Sequence, residues 1–250
     1  MERISSTKNP HITKLRSLNK KAGRDEYGEY LVEGGTLITD MPKKMIKQLF
    51  VRDDEIQKYD DIIRSCDADV YILGDSLFKV ISDTESSSGI IAVADKRKSD
   101  IIQADRNIIV LDEMRDAGNL GTVIRMAVAF GVYDIIAINC VDHYNSKVVR
   151  SSMGGIFHSN IVAHKDYQQL SDIIGNRCII GLDSHGTNLY DFRPARTWAI
   201  IVGGEVRGLS NESRSIIDKL LAIPMFSDKI ESLNAAISVA IATSWFCNIK

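Results

Sequence analysis

The feature that most constrains this chain is an alternation running from Tyr30 almost to the end. Short apolar, β-branched runs ("YLVEGG", "IKQLFVR", "DVYILG", "GIIAVAD", then "NIIVLDEM", "DIIAINC", "SNIVAH", "RCIIGLD", "TWAIIVGGE", "LLAIPM") are separated by segments of helical period. Strands that read as continuous apolar runs are buried on both faces, and strands separated by helices imply a mostly parallel sheet covered by helices. The intervening helices are predicted at "GTLITDM", "DDEIQKYDDIIRSC" with Asp53 or Asp54 as its cap, "DSLFKVIS", "GNLGTVIRMAVAFGV" closed by Gly131, "NSKVVRSSMGG" capped by Asn145, "YQQLSDIIG", "NESRSIID" and a closing helix for which Ser232 fits the N-cap. With 250 residues, of which 44% are hydrophobic, the chain can bury a large core.

The alternation is broken once, by the charged stretch "ADKRKSDIIQAD", which cannot build core and marks a linker at about residues 95–106. A smaller α/β domain over 1–97 and a larger one over 106–250 follow. The six strands of the second make a three-layer α/β domain. Cys66, Cys140, Cys178 and Cys247 are scattered without a Cys-x-x-Cys pair, so they read as reduced core cysteines, with neither a disulfide framework nor a metal site. No uninterrupted apolar run is long enough to span a membrane, and the Met1 region carries charge where a signal peptide would be hydrophobic. A cytoplasmic protein is expected.

Net charge is only −2, yet it is unevenly spread. Between Met1 and Arg24, Arg3, Lys8, Lys14, Arg16, Lys20, Lys21 and Arg24 face Glu2 alone, a local +6 that leaves −8 for the remainder. Ser5, Ser6, Thr7, Asn9 and Asn19 are interleaved with these charges, the mixture that holds a nucleic-acid backbone. Lys8, Lys14, Arg16, Lys20, Lys21 and Arg24 are therefore candidate RNA contacts. The plainer alternative is a solvated amphipathic helix whose Ile12, Leu15 and Leu18 face the core.

Ligands of open α/β sheets bind at the carboxyl ends of strands, and three such turns carry unusual chemistry. In "LDEMRDAGNLGTVIRMA", Gly118 and Gly121 flank Asn119, which can cap the helix, and Arg125 lies six residues further on among Val123, Ile124 and Met126. Arg125 either meets a ligand or snorkels to water. In "IIVGGEVRGLS", Gly203, Gly204 and Gly208 surround Glu205. This is neither a Walker A loop nor a Gly-x-Gly-x-x-Gly fingerprint, and Glu205 either meets a ligand or stands in water. In "AIPMFSDKIESLNAAIS", Pro224 ends a strand, and Glu231, Ser232 and Asn234 stand together at the entrance to an otherwise apolar helix.

In this order the three segments resemble the SpoU (TrmH) family of RNA 2′-O-ribose methyltransferases within the SPOUT superfamily. Asp116 to Arg125 match its first motif with Ala117 in place of Pro; Gly203 to Ser210 match the second with Gly204 in place of Asn; Ile223 to Met225 and Ser232 to Asn234 match the third. "KVVRSSMGGIFH" is similar to the family's Ser-Ser-x-Gly segment. The first ninety residues, including "YLVEGG", resemble the L30e-like RNA-binding domain that many members carry. The stretch between Met225 and Ser232 is one residue longer than usual, and Ala235 and Ala236 replace the commoner Val-Ser.

The resemblance implies a C-terminal SPOUT domain with a deep trefoil knot, a homodimer with the site at its interface, and S-adenosylmethionine as cofactor. It implies contacts to the cofactor from Gly203, Ile223 and Leu233, and a catalytic group of Asn119, Arg125, Glu205, Ser232 and Asn234. It further implies ribose 2′-O-methylation of structured RNA, with 23S ribosomal RNA preferred over tRNA, and no role for a metal. An arginine is hard to deprotonate, so Arg125 is read as holding phosphate and steadying developing charge rather than as a base. Two rival readings are an RNA-binding assembly factor that has lost turnover and an α/β enzyme acting on a small molecule, for which the basic amino-terminal segment would be pointless.

Overall fold

Strand-forming residues of the first half build one mixed sheet. The computed structural model describes residues 1–84, 87–98, 101–226 and 229–248, and the chain divides into two units, Met1–Lys98 with Asp142–Phe157, and Ser99–Val141 with His158–Lys250. The first unit runs β1 (Glu2–Ile4), α1 (Pro10–Leu18), α2 (Lys21–Tyr27), β2 (Glu29–Glu33), α3 (Gly35–Asp40), β3 (Ile46–Arg52), α4 (Asp60–Ser65), β4 (Asp69–Leu73), α5 (Asp75–Ile81) and β5 (Ile90–Asp95), with sheet order β1-β4-β3-β5-β2. β1, β4 and β3 are parallel, whereas β5 is antiparallel to both β3 and β2, so this sheet is mixed rather than mostly parallel. An apolar run buried on both faces reads the same in either direction, which is why composition did not reveal the reversal.

Asn9 caps α1 through its side chain, which accepts from His11 N at 2.9 Å, and Pro10 occupies the first turn where no N–H is required. Ile12, Leu15 and Leu18 then point into a core built around Phe50, Tyr71 and Phe78, as the amphipathic reading expected. The single helix expected over "DDEIQKYDDIIRSC" is instead two 3₁₀ turns, Asp53–Glu55 and Gln57–Tyr59, followed by α4. Neither Asp53 nor Asp54 caps it: Asp53 Oδ2 lies 3.5 Å from Arg3 Nη1, and Asp54 is held by Arg52 Nε at 2.5 Å. Buried Tyr59 turns inward and donates to Ser88 O at 2.7 Å.

The second unit is built on β6 (Ile108–Asp112), α6 (Ala117–Ala129) and β7 (Asp134–Ile138); α7 (Ser146–Ser151) groups with the first unit; then come β8 (Asn160–His164), α8 (Leu170–Ile174), β9 (Cys178–Asn188), β10 (Trp198–Gly203), α9 (Asn211–Ile216), β11 (Lys219–Ala222) and α10 (Ala235–Cys247). All its strand pairings are parallel, in the order β11-β9-β10-β6-β7-β8. β6 and β10 are central, aligned so that Gly203 lies opposite Asp112, and every residue of both is buried. Gly131, at φ 75°, ends α6 as expected. Asn145 caps α7 by accepting from Lys147 N at 2.9 Å.

Candidate functional site

The site is assembled where β6 and β10 end. Asp112, the last residue of β6, is followed by Glu113 at φ 57°, a left-handed backbone that few residues other than glycine adopt and that concentrates at functional sites. The turn it makes leads to Asp116, whose carboxylate accepts from Asn119 N at 2.8 Å and caps α6. Asn119 was expected as a possible cap. Asp116 takes that role instead, so the Asn119 carboxamide is left available for other partners.

Those partners come from the other two turns. Asn119 Nδ2 donates to Glu205 Oε1, from the glycine loop after β10, and Asn119 Oδ1 accepts from Asn234 Nδ2 at 3.0 Å, from the segment before α10. Asn234 in turn caps α10, its Oδ1 accepting from Ala236 N at 2.9 Å and Ile237 N at 3.3 Å. This corrects the expectation that Ser232 is the N-cap: Ser232 lies exposed two residues earlier, because the asparagine next to the first helical residue reaches both amides. Glu205, Asn119 and Asn234 thus form one polar chain across three turns, open to solvent along its length.

The backbone beneath this chain admits no side chains. A Cβ on Gly203 would lie 2.0 Å from Gly208 C, and one on Gly204 would lie 2.6 Å from Glu113 O. Gly204 N donates to Asp112 O at 2.8 Å, and Gly208 N closes the loop onto Gly204 O at 3.0 Å. Ile223 and Leu233 are half-buried on the third turn.

Arg125 is not drawn into the cluster within its own chain. It lies six residues after Asn119, which places it about 9 Å along α6 and roughly 120° around it. There it is exposed in line with Thr122 and Ala129, without a hydrogen bond or ion pair to any described residue.

The basic amino-terminal residues divide. Lys8, Arg16 and Lys20 are exposed, and Lys21 lies 3.7 Å from exposed Asp25. Lys14 Nζ is 2.5 Å from the carboxylate of buried Glu29, which Lys47 also holds at 2.9 Å. Arg24 corrects the expectation of an RNA contact: it is 3% exposed, its Nε and Nη2 donate to Asp142 Oδ2 at 2.9 and 2.7 Å, and its Nη1 donates to Leu18 O at 2.9 Å. With these donors committed inside the fold, this guanidinium cannot meet a phosphate.

Sequence reasoning passed over Asp112. It is 0% exposed, its Oδ2 accepts from Ser210 N at 2.7 Å, and its Oδ1 accepts from the Tyr167 hydroxyl. The available signal was an acid closing an otherwise wholly apolar strand. Among the described residues no group of three or more His, Cys, Asp or Glu side chains is placed to hold a metal ion, and no helix is long and apolar enough to cross a membrane.

The wholly parallel sheet with polar turns converging over its central carboxyl ends forms an α/β domain whose fold matches that of SPOUT methyltransferases. The superposable structures include a SpoU methyltransferase, AviRb from Streptomyces viridochromogenes, solved with AdoMet, which is 25% identical with a TM-score of 0.86 over 95% of this chain and 97% of that one. The chain belongs to the SpoU rRNA methylase family, which it matches over residues 106–244, and is an RNA methyltransferase; residues 9–92 match the MRM3-like substrate binding domain. The resemblance drawn from the three motifs is borne out. Similar proteins include the 23S rRNA (guanosine(2553)-2′-O)-methyltransferase RlmP of Bacillus subtilis, 28% identical over 96% of this chain and 97% of that protein. The 23S rRNA (uridine(2479)-2′-O)-methyltransferase of Streptomyces viridochromogenes is 30% identical over 65% of this chain and 61% of its own length.

Proposed function

We propose that this protein transfers a methyl group from S-adenosylmethionine to a ribose 2′-hydroxyl of 23S ribosomal RNA. The observation that carries the reading is the Glu205–Asn119–Asn234 chain, which gathers one residue from each family motif over the ends of β6 and β10. The donor set suits the cofactor. Side-chain-free backbone at Gly203 and Gly204 allows close approach, two carboxamides offer donors and acceptors to hydroxyls and an adenine edge, and one carboxylate complements a sulfonium. Gly203, Ile223 and Leu233 would hold the adenosine end. When bound, the cofactor supplies an electrophilic methyl group; what the protein adds is alignment.

Asn119 fixes Glu205 and Asn234 relative to one another, so a ribose lodged among them has its hydroxyl oriented before reaction. Arg125 binds the phosphate next to that ribose and stabilises the oxygen as negative charge develops, while the hydroxyl proton passes to that phosphate or to water as the methyl group leaves the sulfonium. Because Arg125 faces away from the cluster in its own chain, it serves the site of a second copy. A homodimer through α6 and α10 also covers Ile237, 48% exposed on a helix otherwise apolar on nearly every side. The three turns are threaded as a trefoil knot. Residues 1–97, an L30e-like domain, supply RNA affinity through Lys8, Arg16, Lys20 and Lys21, and the protein works in the cytoplasm, where its substrate is.

The experiment is methyl transfer from labelled S-adenosylmethionine to 23S rRNA, together with ribose-methylation mapping in cells with and without the gene. One ribose position should lose its mark when the gene is deleted. Unchanged maps, with no label entering 23S rRNA in vitro, would refute the proposal.

A further inference from the structure

Asp112 places a fully buried carboxyl group at the end of an otherwise wholly apolar central strand. A carboxylate with 0% exposure at the end of a central strand is costly unless its oxygens are satisfied, and an apolar residue would fit the surrounding strands without that cost. Its partners show what the charge accomplishes. The backbone carbonyl of Asp112 accepts from Gly204 N at 2.8 Å, at the start of the glycine loop. The side chain accepts from Ser210 N at 2.7 Å, at the end of the same loop, while the Tyr167 hydroxyl occupies its other oxygen. Ser210 also caps α9 by accepting from Ser213 N at 3.1 Å, so the loop's far anchor is tied to a helix as well. Between these anchors stand Glu205, Val206, Arg207 and Gly208, all exposed, and then buried Leu209.

We infer that Asp112 is a positioning residue that clamps both ends of the Gly204–Leu209 loop, and so sets where Glu205 meets Asn119 and how tightly the cofactor is held. The inference rests on the S-adenosylmethionine site proposed above. Asp112 itself touches no substrate, since it is fully enclosed. Tyr167 belongs to the same device: its hydroxyl keeps the carboxylate turned toward Ser210. Desolvation and the adjacent Asp112 raise the Tyr167 pKa, which keeps the hydroxyl a donor across the working pH range.

The test compares Asp112→Ala, Asp112→Asn and Tyr167→Phe with the parent by cofactor titration calorimetry, RNA binding, and hydrogen exchange across residues 204–210. Removing the carboxylate leaves two part-buried donors without this acceptor, so Asp112→Ala should weaken cofactor binding roughly tenfold and speed exchange of the loop amides, with RNA affinity unchanged. Asp112→Asn should recover most of that loss, because a carboxamide oxygen still accepts from Ser210 N while its amide donates to a reoriented Tyr167 hydroxyl. Tyr167→Phe keeps the Ser210 bond and should cost about threefold. A folded Asp112→Ala protein binding the cofactor within about twofold of the parent, with unchanged loop exchange, overturns the inference. If that variant does not fold, Tyr167→Phe decides by the same readouts, and parental cofactor affinity and exchange overturn it. A parent that binds no S-adenosylmethionine sinks the proposed function instead, and loop exchange still judges the clamp.

Discussion

Asn119→Ala separates alignment from stability. The substitution removes two hydrogen bonds, the donation to Glu205 and the acceptance from Asn234. Both lie at the solvent-open surface, so Glu205 and Asn234 can turn to water, and each lost bond costs at the low end of the usual range, about 0.5 kcal/mol. Alanine in the first turns of α6 is a better helix former than asparagine by roughly 0.5 kcal/mol, and the Asp116 cap uses the Asn119 backbone, which survives. The net stability loss should therefore stay below about 1 kcal/mol. Alignment suffers more. Glu205 and Asn234 lose their shared reference, and a misplacement of about 1 Å at a reacting centre costs on the order of a hundredfold, or roughly 2.7 kcal/mol of barrier. Urea denaturation followed by single-turnover methyl transfer to 23S rRNA measures both terms on one protein. Transfer within about threefold of the parent would refute the reasoning, as would a loss of activity matched by an equal loss of fold.

Other expectations follow from the same structure. Asp142→Asn leaves the Arg24 guanidinium buried opposite a neutral partner and should cost about 3–5 kcal/mol in urea denaturation; a loss under about 1 kcal/mol would show that Arg24 finds water. Replacing Lys8, Arg16 and Lys20 together by Gln should lower the slope of log affinity for RNA against log salt by about 2–3; an unchanged slope would remove these residues from the interface. Burial holds the His143 imidazole down at about 4, with Lys96, Lys21 and Arg24 adding to the effect and Asp142 opposing it. In the unfolded chain His143 titrates near its ordinary ~6.5, so unfolding takes up a proton below that pH; stability is full above about 6.5 and falls by up to about 3 kcal/mol as pH drops toward 4. His143→Gln should flatten that decline, and equal slopes for parent and variant between about pH 7 and 4.5 would contradict the burial argument.

The strands were legible because burial on both faces leaves an unbroken apolar run, and the wholly parallel second sheet followed from helices recurring between them. The antiparallel β5 was not legible, since side-chain composition is indifferent to strand direction. Caps were misplaced where several polar residues stood within reach of the same free amides. Asp116 and Asn234 took the caps expected of Asn119 and Ser232, because each sits immediately before its first helical residue. Lys14 and Arg24 read as free cations for a related reason: Glu29 lies 15 residues from Lys14, and Asp142 lies 118 residues from Arg24, so local pattern says nothing of either pairing.

The site was legible in parts and illegible as a whole. Asn119, Glu205 and Asn234 each stood out as polar residues interrupting apolar elements, but the bonds joining them span 86 and 115 residues of sequence and exist only once β6 and β10 are neighbours. The departure at Gly204 acquires a physical meaning in the same way. The family's asparagine at this position needs a Cβ, and here that atom would fall 2.6 Å from the carbonyl of Glu113, a residue already held at φ 57°. This chain therefore draws its β6 turn and glycine loop closer together than a side chain would permit. The closeness lets one backbone carbonyl, that of Asp112, anchor the loop at Gly204, while the carboxylate of the same residue anchors it at Ser210. An asparagine restored at 204 would have to push Glu113 or the loop aside, and either movement shifts Glu205 from Asn119, so the glycine and the buried acid are best understood as one arrangement.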